Sequence, residues 1–174
     1  MYKSIVVAVD GSDPANRALK VGAELAGISD AKLNLVYVVD SNNMEIRKDL
    51  RHMTEVEHIA DPVHLNLESR SDAPVNLFRS INEASAESQR TFYLLAEYIV
   101  KQAKVVAKEA GAKDIETSIE IGNPAERILS FAKRHDSDLI VTGRRGLGAF
   151  KSLVLGSSSQ KITQHAECSC LTVG

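Results

Sequence analysis

Residues 142–159 have the sequence TGRRGLGAFKSLVLGSSS. They follow an apolar run, Asp138–Val141, that predicts a buried strand, and they precede residues 160–166, which predict a short helix. Glycines occur where the chain leaves the strand and where it enters the helix, and three serines occupy the helix start. A phosphate placed there would meet main-chain N–H groups, serine hydroxyls and the positive end of a helix dipole. A flexible loop that ends in a serine N-cap is the alternative interpretation.

The composition is that of an ordinary globular protein. The 174 residues fit one domain, and 44% of them are apolar and 25% charged. The formal net charge of −2 gives no reason to expect a nucleic acid or a membrane surface as a partner. No apolar run approaches the roughly 20 residues that span a bilayer, and the N-terminus lacks signal-peptide features, so we expect a cytoplasmic protein.

Strand and helix patterns alternate along the chain. Ser12 or Asp13 is placed to cap the first helix and Gly27 to end it, while Asn123 caps a later helix that begins at Pro124. This alternation predicts an α/β fold with a doubly wound parallel sheet, in which ligands bind at the carboxyl ends of the strands. In residues 115–121, apolar and polar residues alternate, which predicts a strand with one exposed face near a sheet edge. The strands are predicted at residues 5–9, 33–39, 115–121, 139–141 and 168–173.

One segment interrupts this rhythm. Residues 40–90 are rich in charge, Ser and Asn, and we interpret them as an inserted segment that is mostly helical or mobile, with a long helix resuming at Thr91. The two cysteines, Cys168 and Cys170, lie two residues apart, which places them on one face of a strand as small apolar side chains.

Two common phosphate-binding motifs do not fit residues 142–159. A Walker A loop requires Lys and Ser or Thr after its second glycine, but Gly148 is followed by Ala149 and Phe150. The dinucleotide fingerprint requires a third glycine where this chain has Lys151. The spacing that does occur is G-x-x-G, nine residues, then G-S, formed by Gly143, Gly146 and the pair Gly156–Ser157.

That spacing resembles the signature of the nucleotide-binding, ATP-binding branch of the universal stress protein family. Three further stretches are similar to the family's opening strand, its G-x-P-A turn and its fourth strand, namely residues 7–12, 122–125 and 138–143. The motifs occur in the family's order and cover both ends of the chain. One departure is Ser169, which stands where the family commonly has proline in its last strand.

The resemblance implies a Rossmann-like sheet of the adenine nucleotide alpha hydrolase type, with strand order 3-2-1-4-5. It further implies ATP with Mg²⁺ as ligand, Asp10 near the ribose or the metal, adenine against the end of the second strand, and a homodimer through the last strand. An Asx turn is the alternative role of Asp10. For Arg144 and Arg145, the alternative to contact with the phosphates is exposure to solvent. The implied cofactor-binding residues are Ala8, Val9, Asp10, Val38, Thr142, Gly143, Arg144, Arg145, Gly146, Gly156, Ser157, Ser158 and Ser159.

The resulting hypothesis is an ATP-binding regulatory protein that acts as a nucleotide-dependent switch in a stress response. No catalytic residue is predicted, because no general base or arginine finger can be assigned. No metal-binding set of side chains is predicted either. We therefore expect slow ATP hydrolysis at most. Two alternatives stay open: a Mg²⁺-dependent nucleotide hydrolase on the same fold, and a module that docks an unidentified protein partner through residues 40–90.

Overall fold

A single all-parallel sheet forms the centre of the molecule. The computed structural model describes residues 1–40, 86–146 and 155–174. Within these ranges the sheet has five strands in the order β3-β2-β1-β4-β5, and every pairing is parallel. The predicted fold class and the strand order implied by the family are thus confirmed. The strands are β1 (Ser4–Val9), β2 (Lys32–Val39), β3 (Ile115–Ile121), β4 (Leu139–Gly143) and β5 (Ser169–Val173).

Helices pack on both faces of this sheet. The larger apolar cluster lies between the sheet and the first two helices, and the smaller cluster lies between the sheet and the last two. Residues of β2 enter both clusters, so Leu35 and Val36 point to opposite faces and are both fully buried. The helices are α1 (Asp13–Ser29), α2 (Ala86–Glu109), α3 (Pro124–Arg134) and α4 (Ser157–His165). No helix of the described ranges is long and apolar enough to cross a membrane.

Side-chain caps fix the starts of α1 and α3. The Ser12 hydroxyl accepts a hydrogen bond from the Ala15 N–H at 3.3 Å, which selects Ser12 over Asp13 as the cap of α1. The Asn123 side chain accepts from the N–H groups of Ala125 and Glu126 at 3.1 and 3.3 Å. The predicted cap of α3 is confirmed. Both helices therefore start immediately after the carboxyl end of a strand.

The prediction that Gly27 ends the first helix is wrong. Helix α1 continues to Ser29, and Asp30 follows it in a left-handed conformation with φ of 52°. Gly27 instead lies against the chain that follows α2, since a Cβ built on it would be 2.6 Å from the carbonyl oxygen of Gly111. The glycine therefore permits close contact between two backbones rather than a helix stop.

Two other predictions concern the edge strand β3 and the inserted segment that precedes helix α2. Strand β3 is an edge strand, as predicted, but its exposed residues Glu116 and Thr117 are consecutive and therefore lie on opposite faces of the sheet, so the predicted single exposed face is not found. Helix α2 begins at Ala86, so the inserted segment ends earlier than the predicted boundary near residue 90. The predicted helical pieces of this segment lie in residues 41–85, outside the described residues.

The cysteines behave as small apolar side chains. Cys168 and Cys170 are half-buried and pack against the smaller cluster. Burial raises the pKa of both thiols, which favours the protonated, unreactive form at neutral pH. Their predicted structural role is confirmed.

The contact between Gly27 and Gly111 gives the first prediction. Gly27→Ala should lower the free energy of unfolding by about 1 to 2 kcal/mol, because overpacking outweighs the better helix propensity of alanine. Urea denaturation followed by circular dichroism measures the change. Glu24→Ala, on the exposed side of the same helix, should stay within about 0.5 kcal/mol of the native chain. A stabilised Gly27→Ala variant would contradict the proposed backbone contact.

Candidate functional site

The loops that follow β1 and β4 meet at the carboxyl edge of the sheet. These strands are neighbours, with Val7 opposite Val141. The Oδ1 atom of Asp10 accepts the Ser12 N–H at 2.9 Å, so the Asx turn considered as an alternative is present. The other carboxylate oxygen points at the second loop, since a Cβ built on Gly146 would lie 2.6 Å from Oδ2. Asp10 therefore lies between its own turn and the glycine loop.

One face of the sheet is partly open at this edge. On the face covered by α3 and α4, Val6 and Val36 are fully buried, whereas Ala8 and Val38 further along the same strands are only half-buried. Thr142, from β4, is buried nearby with 5% exposure. The side chain of Val9 belongs to the larger cluster on the opposite face, so Val9 can contact a ligand at the open edge only through its main chain. An apolar patch is thus accessible beside the two loops.

The first turn of α4 has no side-chain cap within the described residues. Its N-cap is Gly156, so the alternative interpretation of a serine N-cap is wrong. The first helical hydrogen bond runs from the Gln160 N–H to the Gly156 carbonyl, which leaves the N–H groups of residues 157–159 without acceptors inside the helix. Ser157 is exposed, Ser158 half-buried and Ser159 buried. These N–H groups and the helix dipole favour a negatively charged ligand.

Two hydrogen bonds tie this turn to the end of β4. The buried Ser159 hydroxyl donates to the Gly143 carbonyl at 2.7 Å, and the Gly156 N–H donates to the Arg144 carbonyl at 2.8 Å. The Ser159 hydroxyl therefore already has a partner in the protein. Its sequence position alone does not reveal that partner, because Gly143 is 16 residues away. The implied role of Ser159 as a phosphate ligand stays a prediction for its main-chain N–H.

Gly143 packs against the start of α1. A Cβ at this position would lie 2.7 to 2.9 Å from main-chain atoms of Pro14 and Ala15. The role implied by the family resemblance, in which Gly143 lets a phosphate approach the backbone, stays a prediction. In the structure, the missing side chain lets the start of helix α1 approach the strand. Any larger residue would push the capped turn at Ser12 away from β4.

The two adjacent arginines lie in different environments. Arg144 is exposed, and its guanidinium carbon is 4.0 Å from the position of a Cβ built on Gly174, beyond the end of β5. Arg145 is half-buried, and its Nε is buried without a hydrogen-bond partner in the described part of the chain. A buried cationic donor without an acceptor is costly. Arg145 is therefore the better candidate to contact an anion.

These features define a class: an all-parallel, doubly wound α/β protein with two glycine-containing loops beside an apolar opening at the carboxyl edge. The model of the universal stress protein family matches residues 1–174. A universal stress protein of Staphylococcus aureus strain USA300 is 31% identical over 173 residues, which are 99% of this chain and 84% of that protein. The chain belongs to the universal stress protein family.

Solved structures show the same fold with nucleotides. One is a universal stress protein in complex with cAMP, which is 23% identical with a TM-score of 0.61 and is matched over 99% of this chain and 96% of that one. Another is the universal stress protein of Archaeoglobus fulgidus in complex with dAMP, which is 19% identical with a TM-score of 0.62 over 99% and 98% of the two chains. At these identities the likeness establishes the fold.

The contact between Asp10 and Gly146 gives the second prediction. Gly146→Ala places a methyl group against Asp10 Oδ2, so it should lower the free energy of unfolding, and it should cost less in a chain that already carries Asp10→Ala. We expect a coupling energy on the order of 1 kcal/mol from a double-mutant cycle in urea. Asp13→Ala, an exposed acidic residue of the same turn, should combine additively with Gly146→Ala. Additivity in both cycles would refute the contact.

Proposed function

We propose that this chain is an ATP-binding universal stress protein that binds the nucleotide with Mg²⁺ and acts as a nucleotide-dependent regulatory switch in the cytoplasm. The observation that carries the proposal is the combination of two features of the described residues: the buried Arg145 Nε has no hydrogen-bond partner among them, and the first turn of α4 has no side-chain cap. Both features favour an anion, and Gly156 connects them through its hydrogen bond to Arg144. The relatives in complex with cAMP and dAMP support an adenine nucleotide as the source of that anion.

Different residues of the open edge suit different parts of such a ligand. The half-buried Ala8 and Val38 offer apolar surface for the base, with main-chain groups of β1 and β2 available at its rim. Asp10 stands between the loops, where a carboxylate suits a ribose hydroxyl or a Mg²⁺ bound by phosphates. The phosphates would contact Gly146, Arg145 and the N–H groups that follow Gly156. When bound, Mg²⁺ would neutralise part of the negative charge of the phosphates.

The proposal is regulatory rather than catalytic. Arg145 and the helix start can hold a phosphate, but holding substrate and transition state equally well does not accelerate hydrolysis. Among the residues that the structure describes, no general base can be assigned, so we expect slow ATP turnover at most. The switch would therefore depend on which nucleotide is bound.

The third prediction tests the ligand directly. Purified protein denatured by heat should release an adenine nucleotide, identified by chromatography and mass spectrometry, and the emptied protein should bind ATP with Mg²⁺ in calorimetry. Arg145→Ala should weaken ATP binding about tenfold to a hundredfold, since a hydrogen bond to a charged group contributes about 1.5 to 3 kcal/mol. Lys161→Ala removes the same charge from an exposed position of α4 and should bind ATP as the native chain does. A native chain without saturable ATP binding would overturn the proposal.

The fourth prediction separates the backbone of the helix start from its hydroxyl groups. Proline is tolerated at the first helical position, and Gly156, with φ of −70° and ψ of 149°, already has the conformation that a following proline requires. Ser157→Pro should therefore keep the fold but lose one N–H donor and weaken ATP binding about tenfold or more. Ser157→Ala removes only the hydroxyl and should have a smaller effect. Equal affinities of the two variants would exclude the Ser157 N–H as a phosphate donor.

The proposal includes a homodimer through β5. This strand lies at one edge of the sheet, and the Ser169 N–H donates inward to the Asp138 carbonyl at 3.2 Å. Main-chain groups alternate along a strand, so those of Cys170 and Thr172 point away from β4 and are available to a partner strand. The serine that replaces the family's proline thus adds a bond within the sheet and leaves the outer edge available.

A further inference from the structure

Two free thiols lie on one face of the sheet at the amino end of β5. Cys168 immediately precedes the strand and Cys170 is its second residue, and both pack against the smaller cluster, whereas Ser169 between them is exposed. The Sγ atom of Cys170 points back along the chain, 3.9 Å from the carbonyl oxygen of Cys168. An extended chain advances about 6.6 Å over two residues. Rotation of the side chains can therefore bring the two sulfur atoms to the roughly 4.6 Å that two thiolate–metal bonds in line would span.

The surroundings of this thiol pair are electronegative. Burial is the main cause that raises the pKa of the Cys168 thiol, and the carboxylates of Asp138 and Glu167 raise it further. The Sγ atom of Cys170 lies 4.0 Å from the carbonyl oxygen of Ile162, in the last turn of α4, where the helix dipole is negative. These surroundings oppose a bare thiolate, so the metal-free chain keeps both thiols protonated.

The two thiols also interact with each other. After burial, Cys168 is the next cause that raises the pKa of the Cys170 thiol, so a negative charge on one sulfur opposes a second charge on the other. An ion that replaces both thiol protons must therefore be divalent if the net charge of the site is to stay unchanged. Sulfur ligands select soft ions, and a thiol that coordinates a metal loses its proton outright.

We propose that Cys168 and Cys170 form a two-coordinate site for a soft divalent cation of the Hg²⁺ class, held in line between the two sulfur atoms. Binding breaks both S–H bonds, forms two metal–sulfur bonds and releases two protons to solvent, with no change of oxidation state. Within residues 1–40, 86–146 and 155–174, no group of three or more His, Cys, Asp and Glu side chains could hold a metal ion, so the tetrahedral set that Zn²⁺ requires is not found there. This inference is independent of the proposed nucleotide site.

Metal retention against a competing monothiol tests the site. The reduced native chain, treated with Hg²⁺ and then desalted in excess glutathione, should keep one ion per chain, and X-ray absorption should show two sulfur neighbours in line. Two linked ligands exceed either one alone in affinity by about 100-fold or more when both can engage. Cys168→Ser and Cys170→Ser should therefore each weaken Hg²⁺ binding by at least that factor, and Zn²⁺ should not compete. No retained ion, a third ligand, or half an ion per chain, which would mean that the ion joins two copies, would overturn the proposal.

A shifted thiol pair is the matched control. The double variant S169C/C170S keeps two thiols in the chain but places them on opposite faces, because the side chains of adjacent residues in a strand alternate. It should retain Hg²⁺ no better than the variants with a single cysteine. Retention equal to that of the native chain would show that the number of thiols rather than their geometry holds the ion, and the proposed site would be refuted. Thermal melting shows which variants keep the fold, while the stoichiometry and the sulfur count of the native chain decide the site without any variant.

Discussion

The position of Gly143 is the constraint on which the site depends. Its Cα faces the first turn of α1 at a distance that admits no side chain, and its carbonyl accepts the buried Ser159 hydroxyl at 2.7 Å. The end of β4 is thereby held between the starts of two helices. Because Asp10 and Gly146 approach each other just beyond this point, a shift of β4 would separate the two loops that build the candidate site.

Local chemistry explains what the sequence could predict. The strands appear as apolar runs, Asn123 and Pro124 together mark a helix start, and the polar alternation of residues 115–121 places β3 at an edge. The spacing of Gly143, Gly146, Gly156 and Ser157 along the sequence indicates that the two described ends of this loop lie at the open edge. Each of these signals lies within a few residues or within one loop, so no three-dimensional contact is needed to read it.

Long-range contacts explain what the sequence could not predict. In the sequence, Gly27 resembles a helix stop. Its actual role is not visible there, because Gly111, whose backbone leaves no room for a side chain at position 27, is far away in the chain. The different surroundings of Arg144 and Arg145 depend on where β5 ends, which no local pattern contains. Likewise, three consecutive serines look equivalent, but only Ser159 is buried with its hydroxyl on the Gly143 carbonyl. In each case a partner distant in sequence decides the role of the residue.

The inward hydrogen bond of Ser169 has a consequence for the amide protons of β5. With Ser169 bonded to Asp138, alternation directs the N–H groups of Ser169 and Leu171 into the sheet and those of Cys170 and Thr172 outward. In a lone chain, hydrogen exchange should therefore alternate between slow and fast along this short strand. A strand added at the edge would slow the fast set and leave the slow set almost unchanged. The serine thus makes β5 a residue-by-residue indicator of whether its outer edge is occupied.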